Sequence, residues 1–330
     1  MKYYYNYRYR YGSFHSVSKD TFYWIQNQPY VKEESITDRI IYDLNRDNPF
    51  VFCHEFRRNE EAVNGADWEW WILFNDCEKV SSDSYGLGQY DGVLALRCRI
   101  QAKKLARGKD DNYHLFQYAN RNGLQIDLLR KQAAEEKAFA IYALYSDSVR
   151  TNEDITLAFC NEAMNNICTN CRNGIFLISA DKIYMDYIIP GKEVIYREDI
   201  VNKSLPASIL DFFISEVHHY YYDMDDHKKN NGRDLMKVRE AKRIIGEAVR
   251  LMNFEQENIH MYKDFPEYLK TLILHRDNKR KAIEKREQTI CLDQFQYNEN
   301  KNLSGVGIID MCRKNELVSN SNGERFFKKK

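Results

Sequence analysis

At 330 residues the chain is long enough for one large or two ordinary domains with a real core, and its 43% hydrophobic and 30% charged side chains exclude a disordered tail or a membrane bundle. No apolar run near 18 residues and no signal peptide is visible, so the expectation is a cytoplasmic protein with no membrane partner. The 49 basic and 49 acidic residues cancel, which excludes a bulk positive field and leaves only a local patch for any nucleic-acid contact.

Residues 1–30, opening on "MKYYYNYRYRY", read as an aromatic and basic N-terminal arm. Such side chains can stack bases and touch phosphates, or simply form an edge strand or a loose arm. Segment 33–46, "EESITDRIIYDLNR", predicts a helix. Ser35 and Asp38 fit the S/T-x-x-D/E capping pattern, and Ile36, Ile40, Ile41 and Leu44 form an apolar stripe. "FVFCHEF" (50–56) predicts a strand and 57–65 a loop ended by Gly65.

The next strand, within "NGADWEWWILF" (64–74), opens with a carboxylate. Alternation puts Asp67, Glu69 and Trp71 on one face and Trp68 and Trp70 on the other. Asp67 is then either a polar start at the sheet rim or a metal-binding carboxylate at the end of a rigid strand. A polar, Gly-containing excursion (75–92) leads to a strand over 93–105 containing "RIQAKKL". There Gln101 and Lys103 share one face, and Ile100 and Ala102 the other. A helix is predicted from about 114 to 136 and a strand over 139–146. The order helix, three strands, helix, strand predicts a compact α/β core over residues 31–150.

Residues 151–330 read as a mixed, mostly helical C-terminal region. Helices are predicted at 152–167, 205–222 and 235–254, a strand-like run at 174–189, and a loose tail ending in "NGERFFKKK". Of eight cysteines, Cys160, Cys168 and Cys171 cluster. A structural zinc needs four ligands, so reduced thiols without a disulfide framework are the expectation. "HHYYYDMDDH", with His218, His219, Asp223, Asp225, Asp226 and His227, is read as an acidic loop after an aromatic helix in preference to a metal site.

Sequential strands pair in about two cases of three. Antiparallel pairing through 75–92 brings Asp67 beside Gln101 and Lys103. A carboxylate, an amide oxygen and a phosphate can share a Mg²⁺ ion that keeps several waters. A neighbouring ammonium can orient or deprotonate a water and offset charge in the transition state.

These elements, with an acid starting the second strand and Q-x-K on the third, resemble the PD-(D/E)XK nuclease superfamily. The likeness is to its Mrr-like Q-x-K, modification-dependent restriction branch. More closely, "EESITDRII", "EEAVNGADWEWW", "RIQAKKL", the helix with Gln125, "AIYALYS" and "FPEYL" are similar to an uncharacterised bacterial family with a GADWEWW…QAK pattern. The resemblance implies a restriction-endonuclease-like core, a mixed central sheet flanked by helices. It implies Asp67 and Gln101 as ligands of Mg²⁺ or Mn²⁺ and Lys103 as the catalytic lysine. Glu34 on the first helix, or Glu61, completes the metal site. Glu69, further along the strand, stands behind the ligands or near substrate, and Gln125 is either a substrate contact or a solvated helix residue. Gln101 departs from the more usual acid, and a neutral ligand weakens the hold on a second metal. The implied function is a Mg-dependent endonuclease hydrolysing phosphodiester bonds in DNA, within bacterial restriction or anti-phage defence. A homodimer or a defence-system partner protein is the implied assembly. The alternative is a catalytically inactive nuclease-fold module that binds nucleic acid or a partner.

Overall fold

The computed structural model describes residues 13–47, 51–55, 66–73, 93–107, 112–149, 172–211, 261–262, 265–266, 268–270, 272–273 and 305–310. Two helices open it, α1 (Phe14–Asn27) and α2 (Glu33–Asp47). The strands β1 (Val51–Glu55), β2 (Trp68–Leu73) and β3 (Val93–Lys104) follow. Next come the short helix α3 (Tyr113–Phe116), a two-stranded hairpin of β4 (Ala119–Asn120) and β5 (Gly123–Leu124), and helix α4 (Gln125–Glu135). Strands β6 (Phe139–Tyr145) and β7 (Ile175–Ser179) lead to α5 (Ala180–Ile183), a π-helical turn over Tyr184–Ile188, α6 (Arg197–Lys203) and β8 (Leu205–Pro206). The last elements are β9 (Met261–Tyr262) and β10 (Gly305–Asp310).

Seven strands form a mixed sheet in the order β1-β10-β2-β3-β6-β7-β8, and β9 pairs with the start of β3. β2 and β3 are antiparallel, with Trp68 opposite Ile100, whereas β3 and β6 are parallel. Both faces of this mixed sheet are covered. On one face Ile36, Ile40, Ile41 and Leu44 of α2 meet Trp68, Ile72, Leu96 and Ile141. Burying each such aliphatic side chain contributes ~1.5–3 kcal/mol. On the other face Ile126 and Leu129 of α4, with Phe265 and Leu269, meet Trp71, Tyr142 and Leu144. The alternation expected for β2 is observed: Trp68 and Trp70 lie toward the first core, Trp71 toward the second.

Several expectations are corrected. The arm is helical over Phe14–Asn27, with Phe14, Val17, Phe22 and Ile25 buried. The Ser13 hydroxyl accepts from Ser16 N, and the Asp211 carboxylate accepts from the N–H groups of Phe14 and His15, so the free amides of the first turn are satisfied. Ser35 lies inside α2, since the helix already begins at Glu33. The helix expected over 114–136 is broken by the hairpin, where Gly123 adopts φ 123° after the Arg121-Asn122 turn. The strand-like run at 174–189 ends at Ser179, whose hydroxyl accepts from Lys182 N and starts α5. In the segment expected to be helical from 205, residues 205–206 pair with β7 as a strand. The core is also not confined to residues 31–150: β7, β8 and β10 belong to the same sheet. Residues 1–12, the segments 152–167 and 235–254, Cys160, Cys168, Cys171 and the His218–His227 stretch lie outside the described residues. Cys53 and Cys98 are buried free thiols.

Candidate functional site

Past Ile100, strand β3 runs beyond the start of β2, so its edge on that side has N–H groups with no strand to receive them. Two carboxylates receive them instead. Asp67, the residue before β2, donates its own N–H to Ile100 O at 2.8 Å, and its Oδ2 accepts from Ala102 N at 2.8 Å. Glu33, the first residue of α2, accepts from Lys104 N through Oε2 at 2.8 Å. The two amide positions are two residues apart on one strand, ~7 Å. Lys103 lies between them.

The Gln101 side chain, 2% exposed, comes from the face covered by α4. Its Nε2 donates to Asp67 Oδ2 at 2.5 Å, and its Oε1 accepts from Gln125 Nε2 at 2.8 Å. Gln125 is the first residue of α4, which begins at this end of the sheet because the hairpin returns the chain there. Gln125 is therefore partly buried and bonded to Gln101 rather than a solvated helix residue.

Of the two acids in the first turn of α2, Glu33 reaches β3 and Glu34 is exposed. Neighbouring helix positions point ~100° apart, so only one can face the strand edge. Burial pushes the Glu33 carboxyl up to about 7, with Asp67 and Glu34 adding to the rise and Lys103 and the Lys104 N–H opposing it. Among the described residues no hydrogen bond or ion pair engages the Lys103 ammonium, whose charge acts on Glu33. Lys104 differs: its Nζ donates to Pro29 O and Val31 O and ties the loop before α2 to the sheet. Glu61 lies outside the described residues.

Glu69 has neither expected role. It is 0% exposed and locked in a buried ion network. Its Oε1 accepts from Trp71 Nε1 at 2.6 Å and from the Tyr268 hydroxyl, and its Oε2 from Arg97 Nε and Nη2 at 3.1 and 2.8 Å. Arg99 Nε lies 3.4 Å from Oε2, and Arg99 also pairs with Glu136. Two cations thus balance two carboxylates inside the core. Burial works against the Arg97 charge, yet Glu69, Tyr268 and Glu136 overcome it and hold the guanidinium protonated. No substrate can reach a carboxylate so enclosed.

The donor chemistry suits a hard dication. Asp67 and Glu33 offer carboxylate oxygens and Gln101 an amide oxygen. Among the described residues no three His, Cys, Asp or Glu side chains gather to cage an ion alone. Mg²⁺ does not need them, since it keeps several waters and binds through one or two carboxylates plus substrate phosphate.

A model of a family described as of unknown function, DUF6615, matches residues 12–81 and 87–294. No curated protein and no solved structure matches the chain.

Proposed function

We propose that this chain, which belongs to the DUF6615 family of unknown function, is a metal-dependent nuclease hydrolysing phosphodiester bonds in DNA. One observation carries the reading: Asp67, Gln101 and Glu33 converge on the open edge of β3 beside Lys103, whose ammonium no hydrogen bond or ion pair engages among the described residues. The order α2-β1-β2-β3-α4-β6, with β2–β3 antiparallel and β3–β6 parallel, supports the likeness to a PD-(D/E)XK core, to which β10 is an addition. Asp67 and Gln101 would hold Mg²⁺ or Mn²⁺, with Glu33 in the place expected of Glu34. Such an ion, when bound, polarises a phosphoryl oxygen and lowers the pKa of a bound water. Lys103 orients the attacking water and offsets negative charge as it builds on the phosphate. A restriction or anti-phage defence role accords with the resemblance in the sequence.

The second reading is a nuclease-like module that binds nucleic acid without cutting. It is favoured by the Gln101 NH₂, which faces the carboxylate where an ion would sit. Purified protein assayed on supercoiled plasmid, single-stranded DNA and RNA, with Mg²⁺ or Mn²⁺ against EDTA, separates the two. Lys103→Ala is expected to keep the fold and lose ~10²–10³ in rate, as removal of one electrostatic donor does. Asp67→Ala is expected to lose cleavage with partial rescue by raised Mn²⁺, and both variants to keep binding, because phosphate contacts are spread. Wild type and Lys103→Ala cutting equally, or neither cutting any substrate, would sink the enzyme.

A further inference from the structure

The Gln101 amide stands between two partners with opposite demands. A carboxylate only accepts, so with no cation beside Asp67 the Gln101 NH₂ must face it. The Gln101 oxygen is thereby committed to Gln125, which must offer its own NH₂. That arrangement leaves Gln125 Oε1 buried with no hydrogen-bond partner among the described residues, a position that protein interiors seldom tolerate without a reason. Turning both amides over removes the difficulty at Gln125, at the expense of the longer bond that Gln101 Nε2 gives Ala102 O at 3.2 Å. Gln101 then donates to Gln125 Oε1 along the same contact, the orphaned oxygen is satisfied, and Gln101 Oε1 is aimed at Asp67. Two oxygens so close repel each other unless a cation lies between them.

We infer that Gln101 and Gln125 form a two-state amide relay that inverts as a pair when a divalent cation binds at Asp67, with Gln125 the positioning residue that holds the Gln101 oxygen on the ion. This rests on the metal site proposed above. The relay gives a neutral residue a use that an acid lacks. An acid at position 101 would present an oxygen in either orientation and need no partner, whereas a glutamine presents oxygen only when a neighbour accepts its NH₂. It also gives the buried Gln125 oxygen a second state in which it is bonded, so ion entry relieves a strained arrangement.

The test is Mn²⁺ titration of the full chain by calorimetry, with circular dichroism to establish that each variant is folded. Wild type is expected to bind and Asp67→Asn to bind far more weakly. Gln125→Met, which can neither donate nor accept comparably, should lose ~10–100-fold in affinity, the range for partners that orient metal ligands. Gln125→Glu accepts only, so it fixes Gln101 with its oxygen toward Asp67 and should bind at least as tightly as wild type. In the ¹⁵N-labelled wild type, the Gln101 and Gln125 side-chain amide signals should shift together on adding Mg²⁺, and not in Asp67→Asn. If Asp67→Asn loses binding while Gln125→Met binds as wild type does, the metal site stands and the relay is overturned. Equal weakening by Gln125→Met and Gln125→Glu overturns it too, since a merely structural glutamine would respond that way. Wild type that binds no Mn²⁺ overturns both readings. Should Gln125→Met fail to fold, the labelled wild type decides by whether the two signals move together.

Discussion

Glu33 and Glu34 are neighbours in sequence with different fates. Both sit in the first turn of α2, where a helix dipole favours acids, but only Glu33 is drawn under the edge of β3. Its folded value of about 7 stands above its ordinary 4.5, so between those values the folded protein holds more proton than the unfolded chain. Stability therefore falls as pH rises through that window, and burying the neutral acid contributes fully only below it. In metal-free protein the melting temperature of Glu33→Gln should decline less between pH 5 and 7.5 than that of wild type, as read by scanning fluorimetry. Equal declines would show that Glu33 does not titrate there. The sequence made Asp67, Gln101 and Lys103 legible because strand alternation has a period of two, and a register error of one would have exchanged the faces. It pointed to Glu34 and not to Glu33, because which acid faces the strand turns on where the helix begins. Gln125 was visible as a polar residue within a helix expected over 114–136, but its bond to Gln101 depends on a hairpin that this helical periodicity concealed.

At the scale of paired strands, β2 and β3 carry their charges in opposite fashion at the open end and just inside it. Near the open end Asp67 has the Ala102 N–H and the Gln101 amide for company; further in, Glu69 has two arginines, an indole and a phenol. The sequence placed Glu69 on Asp67's side of the pleat, but nothing local revealed that Tyr268 returns across the chain to enclose it. Removing the Glu69 charge leaves Arg97 and Arg99 facing Glu136 alone. Glu69→Gln should therefore cost ~3–5 kcal/mol in urea unfolding, as breaking a buried pair does. Tyr268→Phe should cost ~1.5–3 kcal/mol, the scale of a hydrogen bond to a charged group. Neither change should alter Mn²⁺ affinity by more than a few-fold, and a Glu69→Gln that unfolds like wild type but loses the ion would return Glu69 to the metal site. Glu136 is held below its ordinary value: burial opposes this, but Arg99 and Arg97 prevail, so its contribution is present above that value and lost as pH falls through the lowered one.

For the molecule as a whole, β10 is the longest of the strands that sequence reading missed. "GVGIID" is short and Gly-bounded, and it lies in a tail read as loose, yet it enters the sheet between β1 and β2. Its two glycines answer the tryptophans of β2. A Cβ on Gly305 would stand 2.3 Å from the Trp68 ring and 2.7 Å from His54 O, and one on Gly307 would stand 2.7 Å from the Trp70 ring. The indoles lie over the bare backbone of the neighbouring strand. Gly307→Ala should destabilise by ~1–3 kcal/mol, the range for overpacking, and Gly305→Val by more, both measured by denaturant midpoint. A Gly305→Val protein as stable as wild type would mean that β10 does not sit against Trp68. The position of β10 also sets an order of events during synthesis. Trp68 and its partner Gly305 are separated by 305 − 68 = 237 residues. At ~5–20 residues per second, the ribosome needs tens of seconds to travel between them. Throughout that interval the strand that follows Asp67 has one lateral neighbour missing. A nascent chain halted before residue 305 should therefore be readily cut by proteases, and the carboxylate at the head of β2 becomes firmly anchored only after β10 has been made.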